Sequence, residues 1–109
     1  MEMHQSVSSL PGRLAELPVE YRNDLMRAVE ILKAGGCGDL FVFGSLARGR
    51  ISSRSDIDLA VRGCPAGHFF SLLGQLMLEL KHPVDLINLD TADSFARYLE
   101  QEKELLQIA

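Results

Sequence analysis

The chain has 109 residues, which suits one domain and is too short for two. With 47% hydrophobic and 24% charged residues, it is typical of a globular protein and unlike a disordered one. The apolar stretches are short and interrupted, which excludes a transmembrane helix. The formal net charge of −4 disfavours tight nonspecific binding to nucleic acid. We therefore expect neither a membrane nor a nucleic acid as a direct partner.

The N-terminus and the two cysteines bear on the cellular compartment. Residues 1–5 lack the basic start and apolar run of a signal peptide, so we expect a cytoplasmic protein. Cys37 and Cys64 lie far apart in the sequence, and neither has the close second ligand of a zinc pair. Because disulfides are disfavoured in a reducing compartment, both cysteines are expected to be ordinary small residues.

The first half of the chain predicts one helix and one strand. Residues 1–20 carry glycine and prolines and predict an irregular lead-in, followed by a single domain over 21–109. Apolar residues recur at helical spacing over 20–34, and two glycines then end that helix. The wholly apolar run 40–43 predicts a central strand, and small and polar residues over 44–54 predict a connection.

The second half predicts two more strands and two more helices. Residues 56–61 alternate acidic and apolar side chains, as in a strand with two different faces. A broad apolar stripe predicts a helix over 68–81, which ends before a proline. A strand over 84–89 and a last helix over 92–106 follow. The order predicts an α/β fold, a small mixed sheet flanked by helices.

Gly44 and Ser45 come directly after the first strand and predict a phosphate-binding turn. Glycine lets a phosphate approach the backbone closely, and Ser45 adds a hydroxyl at a point where a helix can begin. Two arginines of a basic segment in this acidic chain, Arg48 and Arg54, are candidates for contacts with phosphate oxygens. Taken alone, a Gly-Ser pair is usually an ordinary turn, and surface arginines are often only solvated.

Asp56 and Asp58 form a candidate metal site, because residues two apart on a strand face the same side. Two adjacent carboxylates repel each other, and a divalent cation such as Mg²⁺ offsets that repulsion. Asp85 interrupts the third, otherwise apolar strand. If the first strand is antiparallel to the second and the third is parallel to it, Gly44, Ser45 and the three acids meet at one edge of the sheet. Three carboxylates there could hold two magnesium ions roughly 3.5 to 4 Å apart. Alternatively, the acids are solvated groups at an exposed strand.

The spacing of these motifs resembles a known signature. Gly44-Ser45, ten intervening residues and then Asp56-Ile57-Asp58 are similar to the signature of the DNA polymerase beta-like nucleotidyltransferase superfamily. The stretch GSLARGRISSRSDIDLAV, followed by PVDLINL, resembles the minimal nucleotidyltransferases of the MNT or MntA type. The resemblance covers roughly residues 21 to 108. It implies the polymerase beta-like fold and a protein that acts as an antitoxin paired with a HEPN-type toxin.

The resemblance also implies a role for each motif residue. Gly44 and Ser45 would bind the triphosphate of ATP, Asp56 and Asp58 would ligate two Mg²⁺ ions, and Asp85 would complete the site for the ion that activates the incoming hydroxyl. The implied reaction transfers AMP from ATP to a tyrosine of the toxin, so the implied assembly is a hetero-oligomer with that toxin. All three acids are present, as an active enzyme requires.

Two other functions stay open at this point. The chain could modify a small molecule, although the aminoglycoside-modifying relatives are larger and carry an acceptor domain. It could also neutralise a toxin by binding alone. Since we expect no acceptor domain here, a partner protein would supply the missing half of the site. The apolar residues near the C-terminus, namely Leu99, Leu105, Leu106 and Ile108, are a candidate docking stripe for it. His82 shows no evident partner and Tyr21 is expected only to pack.

Overall fold

The computed structural model describes residues 10–52, 54–91, 93–102 and 105–109, and its centre is a four-stranded mixed sheet. The strands are β1 (Asp39–Phe43), β2 (Ile57–Arg62), β3 (Val84–Asn88) and β4 (Leu106–Gln107). They lie side by side in the order β3-β2-β1-β4. Strand β1 is antiparallel to both β2 and β4, whereas β2 and β3 are parallel. The predicted pairing of the first three strands is therefore confirmed.

In the described part of the chain, four α-helices and one 3-10 helix surround the sheet. They are α1 (Val19–Ala34), α2 (Gly44–Arg48), α3 (Phe69–Glu79) and α4 (Ser94–Glu102), with the 3-10 helix at Gly12–Glu16. The helices predicted over 20–34 and 68–81 are confirmed to within two residues at each end. Helix α3 connects β2 to β3 and supplies the crossover that a parallel pair needs. No helix in the described part of the chain is long and apolar enough to cross a membrane.

Side chains that alternate along the strands pack into two hydrophobic clusters, one on each face of the sheet. Leu40 and Val42 of β1 pack into the larger cluster, together with apolar residues of α1 and α3. Phe41 and Phe43 pack into the smaller cluster, to which α4 contributes Ala96 and Leu99. This alternation is the period of two that a strand imposes on its side chains. The sheet is therefore covered by α1 and α3 on one face and by α4 on the other.

The C-terminal residues form a strand where the sequence predicted helix, so the expectation of a helix through residue 106 is wrong. Gln107 pairs with Phe41, and the Ile108 amide donates to the Leu40 carbonyl at 2.8 Å. A short run of apolar residues fits the period of a helix as well as that of a strand. Pairing with the open edge of β1 selects the strand.

The same pairing removes the predicted docking stripe. Leu99 and Ile108 are buried, and Leu105 and Leu106 are half-buried against the two clusters. These side chains therefore belong to the core and do not form a free stripe. Among the described residues, large exposed apolar side chains lie instead on α3, at Phe70, Met77 and Leu78, and on α4, at Phe95 and Tyr98.

The lead-in before α1 packs against the domain in the part that the structure describes. Leu10, Leu14 and Leu17 are buried in the larger cluster, and residues 12–16 form the 3-10 helix in place of irregular chain. The rest of the predicted lead-in, residues 1–9, lies outside the described residues. The apolar side chains of this segment extend the core beyond the first long helix.

The two cysteines form a disulfide, so the expectation that they are unlinked small residues is wrong. The Cys37 and Cys64 sulfurs are 2.02 Å apart. Cys37 precedes β1 and Cys64 follows β2, and Asp39 pairs with Arg62 where these antiparallel strands meet. The pairing of β1 with β2 therefore places the two cysteines side by side although they are distant in sequence.

Candidate active site

The predicted site residues lie at the edge of the sheet where β1 ends and where β2 and β3 begin. The register pairs Phe43 with Asp58 across β1 and β2, and Asp58 with Asp85 across β2 and β3. Residues paired in neighbouring strands point to the same face. Asp58 and Asp85 therefore project together beside the C-terminal end of β1, where Gly44 follows.

Gly44 is the residue that lets the chain turn directly against Asp58. Its φ is +71°, in the left-handed region that L side chains rarely adopt. A Cβ atom at this position would overlap the Oδ2 atom of Asp58. Glycine is thus required here twice, once for the backbone conformation and once for the close approach of the carboxyl group.

A single short helix begins at Gly44, and the chain turns back where this helix ends. Helix α2 begins at Gly44 and places the half-buried Ser45 in its first turn. It ends at Arg48 and is capped by Gly49, whose φ is +76°, and the Arg50 amide donates to the Ser45 carbonyl at 3.0 Å. Ser45 therefore lies in the first turn of α2, directly after the glycine that contacts Asp58.

Asp58 has the most perturbed charge of the site. Its pKa is raised from the ordinary 3.8 to about 6, most of all by burial and also by the neighbouring charges of Asp85 and Asp56. A side-chain hydrogen bond with Asp85 also favours the protonated form of Asp58. Three carboxyl groups thus act on one another here, which makes this edge a place where positive charge is favourable.

Asp56 and Asp85 are both exposed, and Asp56 lies just outside the strand. The sequence predicted a strand over 56–61, but β2 begins at Ile57, whose amide donates to the Pro83 carbonyl at 2.8 Å. As the side chains stand, no three of the described His, Cys, Asp and Glu residues are grouped closely enough to hold a metal ion. Asp58 and Asp85 instead share a hydrogen bond.

The arginines of the basic segment are divided between the two ends of the sheet. Arg48 is exposed in the last turn of α2, and Arg54 is exposed in the turn two residues before Asp56. Arg62 lies at the opposite end of β2, where it pairs with Asp39 and Glu100. Arg48 and Arg54 therefore lie on the connection between β1 and β2 that borders the carboxyl groups, whereas Arg62 does not.

A buried polar network lies behind the carboxyl groups, and the sequence analysis missed it. Tyr21 and Asp24 of α1 are 4% exposed each. The Tyr21 hydroxyl donates to the Ser55 carbonyl at 2.7 Å, and its ring stacks on that of His82 at 3.9 Å between centroids. The expectation that His82 has no partner is therefore wrong, because it contacts both Tyr21 and Asp24. Polar residues at core positions of an amphipathic helix were the available signal.

Comparison with known proteins agrees with this arrangement. The model of the family described as polymerase beta, nucleotidyltransferase, matches residues 27–108. The chain belongs to the polymerase beta nucleotidyltransferase family. The fold predicted from the sequence, a mixed sheet flanked by helices in the polymerase beta-like arrangement, is thereby confirmed. No curated protein matches the sequence significantly.

Two solved structures with the same fold come from toxin–antitoxin systems. A toxin–antitoxin crystallised with AMP-PNP is 23% identical, with a TM-score of 0.62, over 80% of this chain and 71% of that chain. A mutant of the toxin–antitoxin MntA-HpeT is 20% identical, with a TM-score of 0.61, over 76% of this chain and 70% of that chain. At these identities the likeness establishes the fold alone.

Polymerase beta nucleotidyltransferases generally use divalent metal ions, and the donor set of this chain fits one. Carboxylate oxygens are the ligands that Mg²⁺ prefers in proteins. The register pairs Asp58 with Asp85 on neighbouring strands, and burial and the neighbouring acidic charges raise the pKa of Asp58. A cation beside these groups would favour the ionised form of Asp58.

Proposed function

We propose that this protein is a Mg²⁺-dependent nucleotidyltransferase that transfers AMP from ATP to a tyrosine hydroxyl of a HEPN-type toxin. Membership of the nucleotidyltransferase family supports the reaction class. The two structural neighbours are toxin–antitoxins, and one of them holds AMP-PNP, which supports the choice of nucleotide and of partner. On this proposal the protein works as the antitoxin, in a hetero-oligomer with its toxin.

The observation that carries the proposal is the grouping of carboxyl groups around Asp58. A half-buried Asp58 with a pKa near 6, bonded to Asp85 and facing the charge of Asp56, is destabilising in a protein without a cation. Carboxyl groups whose pKa is strongly shifted in this way are found most often at functional sites. The glycine turn that admits the carboxyl group of Asp58 supports the same interpretation.

Asp56, Asp58 and Asp85 would hold the magnesium, as two ions. When bound, the metal neutralises charge on the phosphates and lowers the pKa of the attacking hydroxyl. Asp58 must lose its proton to act as a ligand, and since its pKa of about 6 still lies below neutral pH, most of it is ionised there. By the resemblance to the family pattern, Asp85 would ligate the ion that activates the acceptor hydroxyl; it lies on β3 beside Asp58.

The residues of the α2 turn would hold the nucleotide. Ser45 offers a hydroxyl and an amide in the first turn of α2, and Gly44 before it has no side chain that would keep a phosphate from the backbone. Arg48 and Arg54, on the segments that border the acids, would contact the phosphate oxygens of the leaving pyrophosphate. The turn thus binds the part of ATP that leaves, while the acids act at the phosphorus that is attacked.

The test is co-purification with a candidate toxin, followed by incubation with Mg²⁺-ATP and mass spectrometry of the toxin. We expect the toxin to gain the mass of one or more AMP units on tyrosine. A stable neutralising complex without any mass change would favour neutralisation by binding alone. Transfer of AMP to a small molecule, in the absence of any protein partner, would favour the small-molecule reaction instead.

Asp85→Asn separates catalysis from nucleotide binding. If Asp85 acts at the ion nearer the acceptor, the variant should slow AMP transfer more than it weakens binding of AMP-PNP. The rate is measured with radiolabelled ATP and the affinity by calorimetry. Equal losses in both would assign Asp85 to nucleotide binding or to the fold.

A further inference from the structure

The side chains of two residues of α1 contact the loops that lead into β2 and β3, the strands that carry the acids. Tyr21 and Asp24 are three positions apart, so they project from the same face of the helix. Both are almost completely buried, although each carries a polar group. Buried polar groups of this kind are satisfied by defined partners, and their partners here are two different loops.

Asp24 binds the loop that leads into β3. Its carboxylate accepts hydrogen bonds from the Lys81 amide and the His82 amide at 3.0 Å each. It also accepts a bond from Nδ1 of the His82 ring at 2.8 Å. These bonds fix the turn three residues before Asp85 to α1.

Tyr21 binds the loop that leads into β2. Its hydroxyl donates to the Ser55 carbonyl, directly before Asp56, and its ring lies on the His82 ring at an interplanar angle of 17°. Ser55 is itself buried, and its hydroxyl accepts a hydrogen bond from the Ser52 amide at 2.9 Å. One side chain therefore contacts both loops, one through its hydroxyl and the other through its ring.

We propose that Tyr21 and Asp24 are positioning residues that hold Asp56, on the loop before β2, in place relative to Asp85 at the start of β3. The inference rests on the proposed function, because it concerns how the metal ligands are held. The pairing of β2 with β3 already sets Asp58 beside Asp85, whereas Asp56 precedes the strand. The loop before β2 and the loop before β3 attach to residues three positions apart on one helix, so α1 fixes the position of Asp56.

The need for such a fixed spacing follows from the charges of the site. The acids repel one another, and Asp56 is exposed and lies outside the strand, so β2 pairing alone does not hold it. Metal sites require ligands held to within about 0.5 Å, which supporting hydrogen bonds provide. Loss of such supporting bonds typically weakens metal binding by roughly 10- to 100-fold.

Tyr21→Phe tests the proposal by removing one hydroxyl while keeping the ring that stacks on His82. The matched control is Tyr98→Phe, the same chemical change at an exposed position of α4. Binding of Mn²⁺ to each protein is measured by electron paramagnetic resonance in the presence of AMP-PNP. We expect Tyr21→Phe to bind Mn²⁺ about 10-fold more weakly and Tyr98→Phe to bind it as the unmodified protein does.

A second readout reports on the loop itself. Amide hydrogen exchange over residues 54–58 should be faster in Tyr21→Phe, whereas exchange in the middle of α3 should be unchanged. Asp24→Asn, which puts an amide group where three donors converge, should weaken Mn²⁺ binding at least as much. Circular dichroism confirms that each variant is folded under the conditions of the binding measurement.

The outcomes separate this proposal from the proposed function. Unchanged Mn²⁺ affinity in Tyr21→Phe, whatever its stability, overturns the positioning role. Equal weakening in Tyr21→Phe and Tyr98→Phe overturns it as well. If the unmodified protein binds no Mn²⁺ with AMP-PNP, the proposed function itself is overturned, and the positioning role falls with it.

Discussion

The two ends of the sheet differ in how their charged side chains are arranged. At the end where β1 finishes, Asp58 is half-buried beside Asp56 and Asp85, and its pKa is raised to about 6. At the other end, Arg62 pairs with both Asp39 and Glu100 and lies over the Phe41 ring at 5.3 Å. Like charges are thus grouped at one end, and opposite charges are matched at the other.

The opposite end also carries the strongest local constraints. The Cys37–Cys64 disulfide joins the segment before β1 to the segment after β2. The Gly63 amide donates to Asp90 at 2.7 Å, which ties the end of β2 to the segment after β3. The same strands therefore carry a covalent link and matched charges at one end and a group of like charges at the other. In one small sheet, the stabilising contacts and the proposed reactive groups can thus lie at separate ends.

Asp58→Asn removes a carboxylate from the end of the sheet where like charges are grouped. We expect AMP transfer to fall at least about 100-fold, because the change removes a metal-binding charge. Radiolabelled transfer to the toxin measures this. The control is Asp39→Asn, the same substitution at the other end of the sheet, which should keep transfer near the unmodified rate. Full activity of Asp58→Asn would contradict the proposed metal site.

Breaking the disulfide should lower stability without touching the site. For a closed loop of this length we expect a loss of about 3 kcal/mol in the free energy of unfolding. Urea unfolding with and without a reductant measures it, and a Cys37→Ser/Cys64→Ser double variant should no longer respond to the reductant. Mn²⁺ binding of the folded, reduced protein should be unchanged. A matching loss of metal affinity would show that the two ends are coupled.

The pH dependence of stability should report the repulsion at the site. Between pH 4 and 6 the folded protein keeps a proton on Asp58 that the unfolded chain has released, because the folded pKa is the higher one. The contribution of Asp58 to stability without metal should therefore be greatest at and below about pH 4, fall between about pH 4 and 6, and stay level above that. Allowing for solvent screening, the Asp58 contribution is about 2 kcal/mol.

The difference between the unmodified protein and Asp58→Asn isolates this contribution from that of other groups. Urea unfolding in a metal chelator, at several values between pH 4 and 7, should show the variant to be the more stable protein at pH 7. Its advantage should vanish towards pH 4. Parallel curves for the two proteins would mean that Asp58 titrates normally.

A pair of glycine substitutions gives the smallest effect and the closest control. Gly44→Ala forces a side chain into a left-handed backbone and against Asp58, so we expect a loss of about 1 to 2 kcal/mol. Gly74→Ala adds a methyl group within α3 that meets no atom within 4 Å, and it should stabilise the protein by about 0.5 to 1 kcal/mol. Thermal unfolding compares them. Equal shifts would argue against a special role of the Gly44 turn.

Features with a strong local signal could be predicted from the sequence. The helix over 20–34 follows from regular apolar spacing, and the parallel pairing of β2 with β3 follows from the helical crossover between them. The positions of Gly44, Asp58 and Asp85 at one sheet edge follow from these pairings. In each case a period or a connection determines the geometry without knowledge of distant contacts.

Features that depend on long-range contacts could not be predicted in this way. Strand β4 has two residues, and only the open edge of β1 selects strand over helix for them. The disulfide depends on which residues meet across β1 and β2. The bonds of Asp24 to Lys81 and His82 join residues that are far apart in the sequence, and no local pattern indicates them.

The late position of β4 in the chain has a consequence for synthesis on the ribosome. Strand β1 is made early, yet its outer edge is covered only when Leu106 and Gln107 pair with Val42 and Phe41. Until then, a strand that is apolar from Leu40 to Phe43 exposes unpaired amides and carbonyls, which can template pairing with another chain. Nascent chains that stall before this strand should therefore be prone to aggregate, and their solubility should recover once those last residues are translated.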